Sequence, residues 1–289
     1  MTHALRLFAL TALAMIAFAA NSVLGRLALV ETDIGAGSFT LIRLLSGAIV
    51  LALLCTWQAK PLAGNWRGGL CLTIYAICFS YSYLAIPAGT GAIILFALVQ
   101  ITMLSWGLRR GERLSGLQWF GFVLALVALV WLISPSVESP PLWAAVAMAV
   151  AGIAWGIYSL PGTSEGDPTA ATAGNFVRAT LIAIPVLVMA LPLAPETRPP
   201  LDGITLAIIS GAVTSGLGYA IWYVALQGLT ATRAGIAQLS VPALAAIGGV
   251  LFLAEPITVR FSLATLAILT GVALAVLTPA PRSSKAGHD

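Results

Sequence analysis

Arg43 and Arg178 are the two cations set inside long apolar runs of this chain. A charge there costs about 2.5–3.5 kcal/mol by insertion scales unless it is paired or reaches the interface. They sit in similar settings, Thr40-Leu41-Ile42-Arg43 and Asn175-Phe176-Val177-Arg178. Around them the apolar runs carry a sparse set of rings and amides. Tyr75, Phe79, Ser82 and Tyr83 recur at three- and four-residue steps, as do Ser215, Tyr219, Trp222 and Tyr223, which places each group near one helical face. Asn21 with Ser22, Trp155 with Tyr158 and Ser159, and the amides Gln100 and Gln238 complete the set. Such groups recognise a ligand through ring contact, amide bonds and charge; they do not break bonds.

The residues that would break bonds are scarce. Cys55, Cys71 and Cys78 lie in apolar runs without a Cys-x-x-Cys spacing, and His3 and His288 fall in the tails. That pattern predicts neither a metal site nor a cofactor, and it offers no nucleophile, base and orienting group for an enzyme. Asp and Glu are missing from the middle of every apolar run, so a proton relay built on a buried carboxylate is not expected. No basic patch interleaved with aromatics marks a nucleic-acid surface.

The elements that must position these side chains follow from composition. Sixty per cent of the 289 residues are hydrophobic and 8% charged, with a mean hydropathy of +1.00. Too few polar side chains exist to solvate a globule of that kind, so the chain belongs in a bilayer. Ten apolar segments are predicted, at 5–29, 37–57, 67–86, 90–109, 115–133, 141–160, 170–191, 203–225, 233–253 and 258–278. The first imitates a secretory leader at Ala17-Phe18-Ala19-Ala20, but it is read as the first span. With a cytoplasmic N-terminus, the inner side receives Arg6, Lys60, Arg67, Arg109, Arg110, Arg113, Arg233, Arg282 and Lys285, and the outer side Arg26, Arg198 and Arg260. This positive-inside bias accounts for the net charge of +4.

The ten segments read as one five-span unit written twice, and an odd number of spans turns the second copy over. Arg43 answers to Arg178, Tyr83-Leu84-Ala85 to Tyr223-Val224-Ala225, and Glu112 to Glu255, at offsets of 135, 140 and 143. The expected fold class is therefore an all-α integral membrane protein of ten transmembrane helices in two inverted five-helix repeats. Its units are 1–138 and 139–282, with a cytoplasmic tail at 283–289. Spans one, three, four, six, eight and nine carry the polar lining. Spans five and ten are almost wholly aliphatic, which suits the periphery or a homodimer contact. Pro185 and Pro242 are placed to bend their helices.

Ten spans in two inverted halves, an Arg in the second span of each, Tyr-x-Ala before the fourth and ninth spans and a Glu after each of those resemble the drug/metabolite transporter superfamily, in its EamA-like branch. Length and the aromatic-rich interior are most similar to its YddG-type aromatic amino acid exporters. The resemblance implies a multi-pass bacterial inner-membrane carrier with cytoplasmic termini that exports small amphipathic metabolites, aromatic and other apolar amino acids, by alternating access around a central cavity. Sugar-phosphate or nucleotide-sugar exchange and efflux of flat organic cations are the alternatives, and an intramembrane enzyme a remote one. The first span reads Phe18-Ala19-Ala20-Asn21 where many relatives have a Trp-Gly pair, kept here as Trp155-Gly156. Substrate contacts are expected from Asn21, Tyr75, Phe79, Tyr83, Trp155, Tyr158, Tyr219, Tyr223 and Gln238, in a large, permissive cavity. Arg43, Arg178, Pro242, Glu112 and Glu255 are expected to act in gating or structure, with one arginine neutralising a substrate carboxylate as the sharper alternative.

Single cysteines placed in the Glu112 and Glu255 loops are expected to react with an impermeant thiol reagent from opposite faces of right-side-out vesicles. Labelling of both from one face would end the inverted reading.

Overall fold

The computed structural model describes residues 3–109, 115–134, 139–160, 167–190, 192, 196–229, 237–238 and 240–277. Glu112 and the 283–289 tail lie outside the described residues. Every regular element among the described residues is helical, the form that lets a segment in hydrocarbon satisfy all its own backbone groups. Ten rods follow in order: α1 (His3–Glu31), α2 (Ala36–Trp57), α3 (Trp66–Ser82), α4 (Ala88–Arg109), α5 (Gly116–Ile133), α6 (Leu142–Tyr158), α7 (Pro168–Ala190), α8, α9 (Ser240–Leu253) and α10 (Val259–Leu277). Helix α8 runs through Leu201–Ile208, a π-wound stretch Ile209–Leu217 and Gly218–Leu226.

Helices α1, α2, α4, α7 and α8 supply apolar spans of 22 to 27 residues, long enough to cross a bilayer. The 17 residues of α3 reach about 25 Å along the axis. Large apolar side chains cover the outside of the bundle: Phe8, Leu53, Met189, Leu251 and Leu266 are all strongly exposed. In water that surface would aggregate; against lipid tails it is the solvated face.

Polar residues cap the helix ends. The Asn65 side chain accepts from Gly68 N at 2.8 Å to start α3, and Ser115 with Gln118 forms a reciprocal capping box on α5. Two ends are capped from elsewhere in the chain. Glu196, in the α7–α8 connection, accepts from Gly37 N at 2.7 Å and from Ser38 N at 2.9 Å, so its negative charge lies on the positive end of α2. Lys60, after α2, donates to Asp167 at 2.6 Å, while Asp167 accepts from Ala170 N at 3.0 Å at the start of α7. The Lys60 hydrogen bond, and after it the Ala170 N–H, hold the Asp167 carboxyl below its ordinary range.

The principal helix pairings are α5 with α10, α3 with α6, α4 with α6, α2 with α7, α2 with α8, α3 with α7, α1 with α8, α1 with α9 and α4 with α9. Exchanging the first five helices for the second five turns this set into itself. Helices α5 and α10 stand at the edge, packed on each other and only lightly on α4. Their approach is close enough that a Cβ on Gly271 would lie 2.5 Å from the Gly121 carbonyl oxygen. Lipid tails give no hydrophobic drive between apolar helices, so such small-residue contact is what holds the pair.

Where α2 crosses α8, a Cβ on Gly211 would fall 2.1 Å from the carbonyl oxygen of Arg43. Gly211→Ala is therefore expected to lower stability by about 1–3 kcal/mol through overpacking. Thermal unfolding in detergent measures this, with Gly116→Ala as the control, since a Cβ at Gly116 meets nothing within 4 Å. Equal melting of the two variants would mean that the crossing is looser than described.

Candidate functional site

One polar knot joins α1, α2, α3 and α8 inside the bundle. Asn21 is 3% exposed, and its Oδ1 accepts from Ser210 at 2.8 Å, Thr214 at 3.2 Å and Ser215 at 3.3 Å. The winding of α8 explains how three hydroxyls converge. In a π turn residue i bonds to i+5, so Ser215 returns to the face of Ser210 that it would leave in an ordinary α-helix. Asn21 Nδ2 then donates to the Tyr75 hydroxyl at 3.4 Å.

Arg43 enters the knot from α2. Its side chain is wholly enclosed, with Nε donating to Ser215 Oγ at 3.1 Å and one terminal nitrogen donating to the Tyr75 hydroxyl at 3.0 Å. The guanidinium carbon lies 4.5 Å from the ring centre of Phe79 and 5.1 Å from that of Tyr75, so two π faces carry part of the charge. The other terminal nitrogen, Nη1, has no hydrogen-bond partner. The ion pairs among the described residues are Arg26–Glu255 and Lys60–Asp167, and neither supplies Arg43 with a counter-charge.

Arg178 is different. It donates to the carbonyls of Ala63 at 2.8 Å and Gly174 at 2.9 Å, with its guanidinium 5.8 Å from the Trp66 ring centre. It ties the α2–α3 connection to α7 and meets none of the cavity-lining residues in these contacts. Asn175 beside it accepts from Asn65 N at 2.9 Å and donates to the Tyr158 hydroxyl at 3.4 Å.

Against the knot lies a small cavity lined by Phe18, Asn21 and Ser22 of α1, Tyr75 and Phe79 of α3, Leu95 and Phe96 of α4, Trp155 of α6 and Tyr219 of α8. Its open part admits about one water. The space is small because rings fill it: Trp155 lies 4.7 Å from Tyr219 and 5.1 Å from Tyr75, and Phe18 meets Tyr219 edge-on at 5.7 Å. The roomy cavity expected from sequence is small in this conformation, because these rings fill it.

Of the expected contact residues, Asn21, Tyr75, Phe79, Trp155 and Tyr219 come together on the cavity. Tyr158 stacks beside Trp155 at 5.4 Å, one layer back. Tyr83, Tyr223 and Gln238 are not on the wall. Tyr83 is fully buried under α1 and α4, its hydroxyl donating to the Ala88 carbonyl at 3.3 Å. Pro242 is buried in the first turn of α9. Phe18, Ser210 and Thr214 are site residues the sequence reading passed over. Their signal was present, since Phe18 stands one turn before Asn21, and Ser210 and Thr214 one turn apart on α8.

A second tie closes the end of the bundle where α1, α3 and α9 finish. Glu255 accepts from Arg26 Nε at 3.1 Å and from Ala88 N at 2.8 Å, while Arg26 also donates to the Tyr83 carbonyl at 2.8 Å. The left-handed turn at Ala254 (φ 49°) swings Glu255 back over α9. Gly249 leaves it room, since a Cβ there would lie 2.4 Å from the carboxylate.

Replacing Asn21 by Leu removes the acceptor of the Ser210 and Ser215 hydroxyls, while Thr214 keeps the Ser210 carbonyl at 2.8 Å, and each unsatisfied group costs about 1–3 kcal/mol where it finds no new partner. A fall in melting temperature larger than that of Ser22→Ala is expected in detergent. A neutral result would show that the knot re-pairs without Asn21.

Comparison with known proteins agrees with this architecture. Residues 142–277 match the EamA-like transporter family. An uncharacterized protein of Pseudomonas aeruginosa is 49% identical over 98% of both chains. An uncharacterized transporter of Archaeoglobus fulgidus is 23% identical over 71% of this chain and 74% of its own, and the uncharacterized transporter YoaV of Bacillus subtilis 22% over 81% and 85%. A protein crystal structure superposes with a TM-score of 0.64 at 17% identity, over 95% of this chain and 99% of its own, a likeness of fold alone. The apolar ten-helix bundle and the match across α6 to α10 lead to one conclusion: the second half of the chain carries an EamA-like transporter family domain.

Proposed function

We propose that this transporter exports small amphipathic metabolites, aromatic and other apolar amino acids first among them, from the cytoplasm across a bacterial inner membrane. The observation that carries the reading is the cavity wall. Phe18, Tyr75, Phe79, Phe96, Trp155 and Tyr219 present ring faces and edges around one amide, Asn21. A flat ring bound there gains buried area plus about 0.5–1.5 kcal/mol for each offset or edge-on aromatic contact. Few strong bonds are needed, so affinity is modest and selection broad.

Alternating access in this reading is a rocking of two inverted halves, 1–138 and 139–282, about the cavity. The self-exchanging set of helix pairings supports it, as does the cavity drawing on α1, α3 and α4 of one half and α6 and α8 of the other. With the termini in the cytoplasm, the Arg26–Glu255 tie lies on the outer face and holds that side shut. Breaking it is part of release. No homodimer is required, because α5 and α10 already bury their small-residue faces on each other.

Exchange of sugar phosphates or nucleotide sugars is disfavoured by the disposition of the arginines. A dianionic phosphate calls for several Lys or Arg around one site. Here Arg178 is committed to backbone carbonyls, which leaves Arg43 as the cation beside the cavity among the described residues.

Purified protein in liposomes is expected to show counterflow of labelled tryptophan or phenylalanine, since only a carrier exchanges internal for external substrate. Trp155→Ala and Tyr219→Ala are expected to weaken aromatic exchange by a few-fold to about tenfold, the scale of 1.4 kcal/mol, and to spare alanine or valine more. Membrane protein levels are measured alongside. Normal exchange of every substrate by well-expressed variants would move the binding site elsewhere.

A further inference from the structure

The cavity and the knot behind it hold a surplus of hydrogen-bond donors. Three contacts converge on the Tyr75 hydroxyl, from an Arg43 terminal nitrogen at 3.0 Å, Asn21 Nδ2 at 3.4 Å and the Tyr219 hydroxyl at 3.4 Å. Arg43 and Asn21 take the two lone pairs of that oxygen, so the Tyr75 O–H is held only by the long contact to the Tyr219 oxygen and can turn from it to a ligand. Arg43 Nη1 has no hydrogen-bond partner within normal distance among the described residues. The side-chain acceptor of the knot, Asn21 Oδ1, already faces three hydroxyls.

Charge points the same way. Arg43 is about 2% exposed, and no carboxylate among the described residues pairs with it. A buried cation without a counter-charge is held here by hydroxyls and two ring faces, and a carboxylate would bind it more strongly than either. Tyr75 and Phe79 contact the guanidinium and also line the cavity, so the charge stands one side-chain layer from the ligand space. An entering cation meets repulsion there. An entering carboxylate meets a planar fork with a free N–H and a phenol ready to donate.

We propose that Arg43, together with the Tyr75 hydroxyl, forms the carboxylate subsite of this cavity, so that the transporter accepts aromatic carboxylates, zwitterionic or anionic, and rejects the corresponding amines. The proposal rests on the aromatic-cargo reading given above and adds to it a charge rule. The ring of the cargo lies among Phe18, Phe96 and Trp155, and its carboxylate takes the two open donors. The ammonium of a zwitterion needs no acidic partner, because ring faces and cavity water receive it.

The test compares tryptophan, indole-3-acetate, indole and tryptamine, which share a ring and differ in charge. Thermal stabilisation of the detergent-purified protein and competition against labelled tryptophan in liposomes are both read. Wild-type protein is expected to bind the two carboxylates at least about tenfold more tightly than tryptamine, with indole between them. Arg43→Gln is expected to erase the preference and Arg43→Lys to keep part of it. Tyr75→Phe retains the ring, so it carries the test if Arg43→Gln does not fold; it is expected to weaken the carboxylates several-fold more than it weakens indole. Equal binding of all four ligands by the wild type, or an undiminished carboxylate preference in folded Arg43→Gln or Tyr75→Phe, would overturn the subsite and leave the aromatic reading standing. Failure of every indole compound to bind the wild type would overturn both.

Discussion

A guanidinium in the middle of a membrane protein can place its N–H groups only on other parts of that protein, and much of this bundle is arranged around that demand. Arg43 reaches Ser215 on α8 and Tyr75 on α3, and lies on the rings of Tyr75 and Phe79. Hydrogen bonds from a charged donor contribute about 1.5–3 kcal/mol each, and cation–π contact adds about 2 when desolvated. Those sums are of the order of the insertion cost itself. The arginine is thus tolerated when α2, α3 and α8 are in register, which makes it a test of correct assembly as well as a charge beside the cavity.

The register depends in turn on very small side chains. Gly211 allows α8 to touch the backbone of α2 at Arg43, and the π winding from Ile209 to Leu217 then presents Ser210, Thr214 and Ser215 together to Asn21. A π turn is costly in isolation and tends to be kept where it aligns functional groups. Here it gives one amide oxygen three hydroxyl donors, and the fourth neighbour of that amide is the phenol at the cavity wall.

The ten rods were legible because lipid leaves a chain few choices. An apolar run of about 20 residues without charge has to be a helix, and its ends are marked by Lys60-Pro61, Pro87 or Glu255-Pro256. Five members of the cavity wall were legible too, since rings and amides at helical spacing must face inward in a bilayer. What escaped was anything that depends on how helices cross. Phe18 looked like part of a small-residue stretch, and Ser210 and Thr214 like incidental hydroxyls, until the π turn brought them onto Asn21. Sequence treats Arg43 and Arg178 as equivalents. Their different environments arise because Arg178 lies within reach of a loop carbonyl, Ala63, whereas Arg43 has only side chains around it. Tyr83 shares a helical face with Phe79, yet α3 ends at Ser82 and the turn carries the ring under α1.

The carboxylate of Glu255 uses both oxygens at once, one toward Arg26 of α1 and one toward the first amide of α4, and its own backbone N–H bonds to Gly249 of α9. Because Arg26 also grips the carbonyl that ends α3, four helix termini share a single buckle. Such a fastening couples its members: moving α1 or α9 parts the Arg26–Glu255 pair, and moving α3 or α4 strips a hydrogen bond from one of its charges. In the export reading its release would therefore be cooperative, all four helices parting together rather than one at a time.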